Sequence, residues 1–475
     1  MKTPIRSLSL LGPVASALLL GAACAPLVAA PPAPNRPPPA KGPPEDWRFA
    51  INGGRRVKPA PRALLDAPAA ATGDYDVART PPDIQFFLLP GQWPGASLWS
   101  SWGDARFGSD TNFYCSIGDH AGPHGYTYVY KVTGIHAEMI VDVNRVLAAP
   151  LTDYAPGKIH APLMEFDGWL YFAGYRGGKG ADDAHHYTGD PLIRWHLVSG
   201  QTERLNPPAP YCSVAASVIH APSQRMYGVG PGGERQGGKN RFFAYDLVKR
   251  KTIYCGDPEP DAARAIIVAQ DGRVWYSSGY QAERKTGQNQ PGTVAAPSRL
   301  VRFDPATETV VQTGVILPGR MLRAASRCNR EGIAYGITWD GVLFAFDTHD
   351  ESVRVLCRTF DSGPAYTAVC KLSPDERYLY FMPGAHGGAQ GIGCPVIQYD
   401  TRTNRRKVIA FLFDCLRDQM NYLAGGAFGL DISPDGATLG ICLNGRAMDE
   451  TRSAQGIDAF DQCSVVRLEI PPSER

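Results

Sequence analysis

Short apolar runs alternate with acidic, Gly- or Pro-bearing turns along most of the chain, and one order of elements recurs. An apolar strand leads to a turn, an aromatic-rich strand, a long polar loop, a strand ending in aromatic-Asp, a second turn and a last strand. The first turn appears as Glu165-Phe166-Asp167-Gly168, Ala221-Pro222-Ser223-Gln224 and Ala269-Gln270-Asp271-Gly272. It returns as Asn329-Arg330-Glu331-Gly332, Ser373-Pro374-Asp375-Glu376 and Ser433-Pro434-Asp435-Gly436. A strand-like run follows each at once, as in Trp169-Leu170-Tyr171-Phe172 and Arg377-Tyr378-Leu379-Tyr380-Phe381. The second landmark reads Arg194-Trp195-His196, Ala244-Tyr245-Asp246, Arg302-Phe303-Asp304, Ala345-Phe346-Asp347 and Gln398-Tyr399-Asp400. A strand-rich repeat of roughly 50 residues with few helix signals predicts the blades of a β-propeller.

Five units are clear from about residue 158 to 413. A degenerate unit precedes them, with strands near Asn112-Phe113-Tyr114-Cys115-Ser116-Ile117 and Tyr126-Thr127-Tyr128-Val129-Tyr130. Another starts at Ala427-Phe428-Gly429-Leu430-Asp431-Ile432 and ends, on its third strand, at Ser464-Val465-Val466-Arg467-Leu468-Glu469-Ile470. The run Asp83-Ile84-Gln85-Phe86-Phe87-Leu88-Leu89 is predicted to supply the missing fourth strand and so remove an open sheet edge. The expected fold is all-β: a seven-bladed β-propeller closed by an N-terminal strand, with six or eight blades left open by the degenerate first unit.

Composition agrees with many short strands and tight turns: 51 Gly and 41 Pro. A formal net charge of +2 gives no nucleic-acid footprint, so no nucleic-acid partner is expected. No apolar run after residue 30 reaches membrane-spanning length. Residues 1–30 read as a secretory signal: a basic start through Arg6, then an apolar stretch from Leu8 to Ala23. Leu20-Gly21-Ala22-Ala23-Cys24 resembles a lipoprotein signal, with Cys24 as the acylated residue. Residues 31–80 read as a Pro-rich linker and 81–475 as the propeller domain. The expected location is secreted or periplasmic, lipid-anchored if Cys24 is acylated, and a monomer is expected. Export permits disulfides, and Cys415 with Cys463 is the expected pair. Cys212, Cys370 and Cys442 fall in strand patterns, where they read equally as small buried hydrophobes.

In a propeller, loops entering the innermost strands and loops joining second to third strands share one face. Three of the latter carry histidine: His120 and His124, His185 and His186 beside Tyr187, and His386. At inner-strand entries stand His160, Tyr211, Arg264, Arg320, Arg323 and Tyr366. Six of the 10 His fall on this rim, whereas His220 and His349 lie at turns on the opposite face. A His in a Gly-rich loop is usually a solvated residue, so co-location is what makes the set a candidate. No nucleophile elbow, P-loop, dinucleotide fingerprint, HExxH or CxxC is present.

A His/Tyr/Arg rim suits β-elimination from a uronic acid. Arg or His⁺ neutralises the carboxylate and lowers the cost of the enolate-like intermediate, while His or Tyr moves the protons. The expected catalytic residues are His160, His124, Tyr211, Arg264 and Arg323. The expected substrate-binding residues are His120, His186, Tyr187, Tyr366 and His386, with Tyr175 and Tyr280 available to stack on sugar rings. The phrases Gly157-Lys158-Ile159-His160-Ala161-Pro162, Asp167-Gly168-Trp169-Leu170-Tyr171-Phe172 and Pro383-Gly384-Ala385-His386-Gly387-Gly388 resemble secreted bacterial propellers near the propeller-type polysaccharide lyases, including ulvan lyases and oligogalacturonate lyases. That resemblance implies a polysaccharide or oligosaccharide partner and a carbon–oxygen lyase activity. No cofactor is assigned, and a structural divalent cation, calcium or zinc, stays open. The alternatives are a non-catalytic glycan- or protein-binding propeller at the cell surface, and a Ca²⁺-dependent hydrolase. The last needs Glu, Asp and Asn at inner-strand entries that read His, Tyr and Arg instead.

Overall fold

The computed structural model describes residues 51–57, 61–93, 99–176, 183–233, 239–258, 264–277, 298–448 and 460–475. The signal-like segment, Cys24, the chain to residue 50 and Tyr280 lie outside the described residues. Seven antiparallel sheets follow one another in a ring. Blade one holds Arg106–Phe107, Phe113–Gly118, Thr127–Val132 and His136–Asp142. Blade two holds a divided inner strand, Lys158–Ile159 and Met164–Phe166, then Trp169–Tyr175, Leu192–His196 and Thr202–Leu205. Blade three runs from Ala216–His220 to Lys251–Gly256, blade four from Ile267–Val268 to Thr309–Ile316, and blade five from Leu322–Ala325 to Ser352–Arg358. Blade six runs from Lys371–Leu372 to Arg405–Phe411, and blade seven holds Tyr422–Ile432, Thr438–Ala447, Gln462–Glu469 and Asp83–Leu88.

The period-two pattern explains the ring. Successive side chains of a strand point to opposite faces, and each blade is buried on both. In blade two, Leu170 and Phe172 pack towards blade one, while Tyr171 and Ala173 pack towards blade three. The recurring aromatic-Asp landmark also has a local cause. Asp246, Asp304, Asp347 and Asp400 each end a third strand and accept a hydrogen bond from a backbone N–H two residues on. Such an Asx turn starts the hairpin to the outer strand.

The expected closing strand is present. Asp83–Leu88 pairs antiparallel with Gln462–Glu469, placing Phe86 opposite Val466 and Phe87 opposite Val465. Its alternation splits it between neighbours: Ile84 and Phe86 join the core shared with blade six, and Phe87 and Leu89 join the core shared with blade one.

The linker expected through residue 80 is corrected over residues 51–57 and 61–80. Ile51–Gly53 extends blade one, Arg55–Val57 lies outside the closing strand on blade seven, and Asp76–Val77 adds in parallel to blade six. The Arg55 guanidinium donates to Met420 O at 2.6 Å, and Leu64 is buried against blade six. The far end of the chain is tied to the same belt: the Glu474 carboxylate accepts from the backbone N–H groups of Arg79 and Thr80 and pairs with Lys407 at 2.8 Å.

The expected Cys415–Cys463 disulfide is also corrected, because all the described cysteines are free thiols. Cys415 sits on the helix Leu412–Met420, whose buried face is Leu412, Cys415, Leu416 and Met420. Cys463 is on a blade-seven strand in a different core, with Cys115 and Cys442. No helix among the described residues is long and apolar enough to cross a membrane.

Closure makes a prediction. Phe87 is fully buried at the seam, so Phe87→Ala is expected to cost about 3–5 kcal/mol in chemical denaturation. Val198→Ala, at a side chain 89% exposed on blade two, is expected to stay within about 0.5 kcal/mol. Equal stability of the two variants would contradict the closure model.

Candidate functional site

Every inner strand starts at one mouth of the central channel and ends at the other. A cavity of about 720 Å³ occupies this channel. First residues of the inner strands therefore gather at one mouth, and the turns that follow them gather at the opposite mouth.

At the first mouth six of the expected residues meet. The His160 Nδ1–H donates to Ala215 O at 2.8 Å, and its Nε2 accepts from Arg264 Nη1 at 2.7 Å. Both ring nitrogens are thus engaged, in the neutral tautomer. Burial, then Arg264, Lys158 and Arg323, hold the His160 pKa well below the usual histidine range. Arg323 donates to the Tyr366 hydroxyl and to Ala368 O. His386 stacks on Tyr366, with ring centroids 4.1 Å apart and planes inclined by 12°. Burial, followed by Arg323, pushes its pKa down to about 3. His120 lies 2.8 Å from Lys158 Nζ, and burial together with that neighbour lowers its pKa to about 4.

The loops that carry these histidines are fixed by backbone contact. The His120 N–H donates to Gly157 O, and a Cβ on Gly157 would stand 2.1 Å from Ala121 O. Only glycine lets the blade-one loop approach the blade-two entry so closely. On blade six, the N–H groups of Gly384 and Ala385 both donate to Tyr366 O, which anchors the His386 loop beside the ring it stacks on.

The other four expected residues stand apart from this cluster. His124 contacts Asp153 O at 2.8 Å and Asn144 at 3.2 Å. His186 is exposed and pairs with the Asp153 carboxylate at 3.1 Å. Tyr187 is buried against Tyr154, with its hydroxyl 3.3 Å from Asp190 and from Ser213. Tyr211 is bound through its backbone to Thr188 and Gly233. These four belong to the flank where blades one, two and three adjoin.

Residues not singled out from sequence complete the mouth. Lys158 Nζ lies 4.5 Å from the Trp102 ring centroid and 5.0 Å from that of Tyr175. Trp102 packs on Phe428 and Phe460, and Trp339 stands edge-on to Tyr366. A signal for Lys158 existed: in an extended segment it shares a side with His160, two residues on. Trp102 has no strand pattern to mark it, since only the single bridge of Ser100 to Gly118 precedes it.

The two mouths differ in charge. At the far mouth, Lys371 pairs with Asp104 at 2.6 Å and Asp431 at 3.9 Å, and Arg106 pairs with Glu165 at 3.5 Å. Burial would depress the Lys371 ammonium, but the two carboxylates outweigh it and hold its pKa above the ordinary lysine value. At the first mouth, Lys158 and Arg323 are 7% and 3% exposed. Among the described residues neither they nor Arg264 have a carboxylate within ion-pair distance. Burial, then Arg264, therefore lowers the Lys158 pKa to about 7. This mouth is a cationic recess faced by aromatic rings. Among the described residues no group of three or more His, Cys, Asp or Glu is placed to hold a metal ion.

No known protein family matches the chain, and no curated protein matches it. Among solved structures it is similar to one titled "Crystal structure of RRP9 WD40 repeats", with a TM-score of 0.47 and 10% identity over 85% of this chain and 100% of that one.

The two channel lysines predict opposite effects of one substitution. Between pH 7 and the ordinary lysine value of 10.5, the unfolded chain carries a proton on Lys158 that the folded chain releases. Lys158 therefore subtracts more stability as pH falls towards 7. Lys158→Met is expected to stabilise the empty protein near neutral pH by about 0.5–2 kcal/mol. Lys371→Met leaves the half-buried Asp104 without its cation and is expected to cost about 1–3 kcal/mol. Thermal melts of both variants check the pair of signs.

Proposed function

We propose that the cationic mouth binds the carboxylate of a uronic-acid residue in an acidic polysaccharide or oligosaccharide. The observation that carries this reading is the meeting of Arg264, Arg323 and Lys158, without a carboxylate partner among the described residues, beside the rings of Trp102, Tyr175, Tyr366 and Phe428. Guanidinium groups match a carboxylate in shape and charge. Aromatic faces suit the C–H face of a sugar ring, and a largely apolar recess with a few convergent polar groups is the usual form of a small-ligand site. Export, expected from residues 1–30, would bring the mouth into contact with extracellular glycans.

Cleavage of the bound uronate by β-elimination is the second reading. It rests on Lys158, which has no carboxylate partner among the described residues and whose pKa burial and Arg264 lower to about 7, the range in which a general base works near neutral pH. It requires Arg264 and Arg323 to hold the carboxylate so that Lys158 stays neutral, the opposite of proton uptake on binding. His160 is not the base in this reading, because both its ring nitrogens are engaged. Elimination would appear as the ultraviolet absorbance of an unsaturated uronate, and Lys158→Arg would abolish it while keeping the positive charge.

The binding claim is tested by calorimetric titration with trigalacturonate and with galactotriose. Binding of the acidic sugar, none of the neutral one, and weakening by salt are expected. Arg264→Ala is expected to lower the affinity at least tenfold, about 1.4 kcal/mol. Equal affinity for the neutral sugar, or an unchanged affinity in Arg264→Ala, would overturn the proposal.

A further inference from the structure

The channel contains its own control for what a lysine does there. Lys158 is buried and Lys371 half-buried, and both stand at a mouth of the same channel. Lys371 touches Asp104 at 2.6 Å. Around Lys158 the faces are different on every side. The blade-one loop presents His120 Nε2 at 2.8 Å. The segment before blade one presents the Trp102 ring at 4.5 Å, and the second strand of blade two presents the Tyr175 ring at 5.0 Å. His160 follows on its own segment, and Arg264 comes from the entry to blade four, over the same Tyr175 ring. Asp119, next to His120, is turned into its own loop, where its carboxylate accepts from the N–H groups of Ala121 and Tyr126. No carboxylate among the described residues plays the part for Lys158 that Asp104 plays for Lys371.

Resting on the binding reading above, we propose that Lys158 takes up a proton as a carboxylate enters the mouth, so that the anion and the proton bind together. The carboxylate supplies the missing counter-charge. The balance is one carboxylate, one neutral amine and one proton from solvent giving a carboxylate–ammonium pair. No bond to carbon changes and no other reactant is needed.

The sign follows from linkage. Burial and Arg264 hold the empty-state pKa at about 7, and a bound anion raises it. Between those two values the complex holds a proton that the empty protein lacks. Affinity is therefore flat on the acid side of about 7 and falls as pH rises above it, by up to tenfold per pH unit. His120 at about 4 and His386 at about 3 are neutral throughout that window. The Asp119 carboxyl, pushed up to about 7 by burial, titrates within it and is told apart from Lys158 by the Lys158→Arg variant. The mouth loads in neutral or mildly acid surroundings and releases its ligand in alkaline ones.

The test is calorimetric titration of the whole protein with trigalacturonate at pH 8, in HEPES and in Tris, which differ in ionisation enthalpy. The expected result is a buffer-dependent heat corresponding to uptake of up to one proton per ligand. Lys158→Arg, checked for folding by its melt, is expected to bind with no uptake and with no fall in affinity at alkaline pH. Binding with identical heats in both buffers would overturn the proposal and leave the uronate reading standing. Uptake that persists in Lys158→Arg would do the same. Absence of binding in either buffer would overturn the uronate reading, and this inference with it.

Discussion

One strand, Asp83–Leu88, turns seven sheets into a ring. It is the point where the first described residues of the chain meet the last, and its four apolar side chains are divided between the cores on either side. At roughly 1.5–3 kcal/mol for each buried large side chain, this seam is a large fraction of the stability a domain normally has. Closure also fixes the radius. Inner-strand residues from five blades can converge on one mouth only because the ring has no gap through which a blade could swing outward. The belt formed by residues 51–57 and 76–77, with Glu474, reinforces the same seam from outside.

Within that frame, the channel solves two electrostatic problems in opposite ways. The far mouth neutralises its half-buried cations with Asp104, Asp431 and Glu165. The first mouth leaves Arg264, Arg323 and Lys158 facing one another and three neutral histidines. A fold has no stability reason to keep such a cluster, and departures of this kind from local consistency concentrate at functional sites. In the proposed reading an anion would complete the mouth as Asp104 completes Lys371, and the same deficit would make its entry proton-linked.

Much of this was legible in the chain because its signals are local. Ser373 and Ser433 turns, the Asp246 and Asp400 turns, and the alternation of Ile84, Phe86 and Phe87 are each set by neighbours within a few residues. The strands at 51–57 were hidden because Ile51–Gly53 and Arg55–Val57 are too short and too polar to show a period; the sheets they join, not their own sequence, make them strands. The rim histidines divided for a similar reason. His160 and Arg323 lie on or beside inner strands, which aim them at the axis, whereas His124 and His186 lie on long loops that fold back onto Asn144 and Asp153. Lys158 stood in a segment already of interest, but its lack of a carboxylate partner among the described residues is a property of three-dimensional space. The cysteines fail by the same logic: Cys415 and Cys463 are 48 residues apart in sequence and belong to different cores.

The account turns on which mouth of the ring receives an anion. A crystal structure of the complex with trigalacturonate decides this directly. The account places a carboxylate within ion-pair distance, about 4 Å, of Arg264, Arg323 and Lys158, with a sugar ring against Trp102 or Tyr175. A ligand seated at the far mouth beside Lys371, or on the outside of the ring with the first mouth empty, would contradict it.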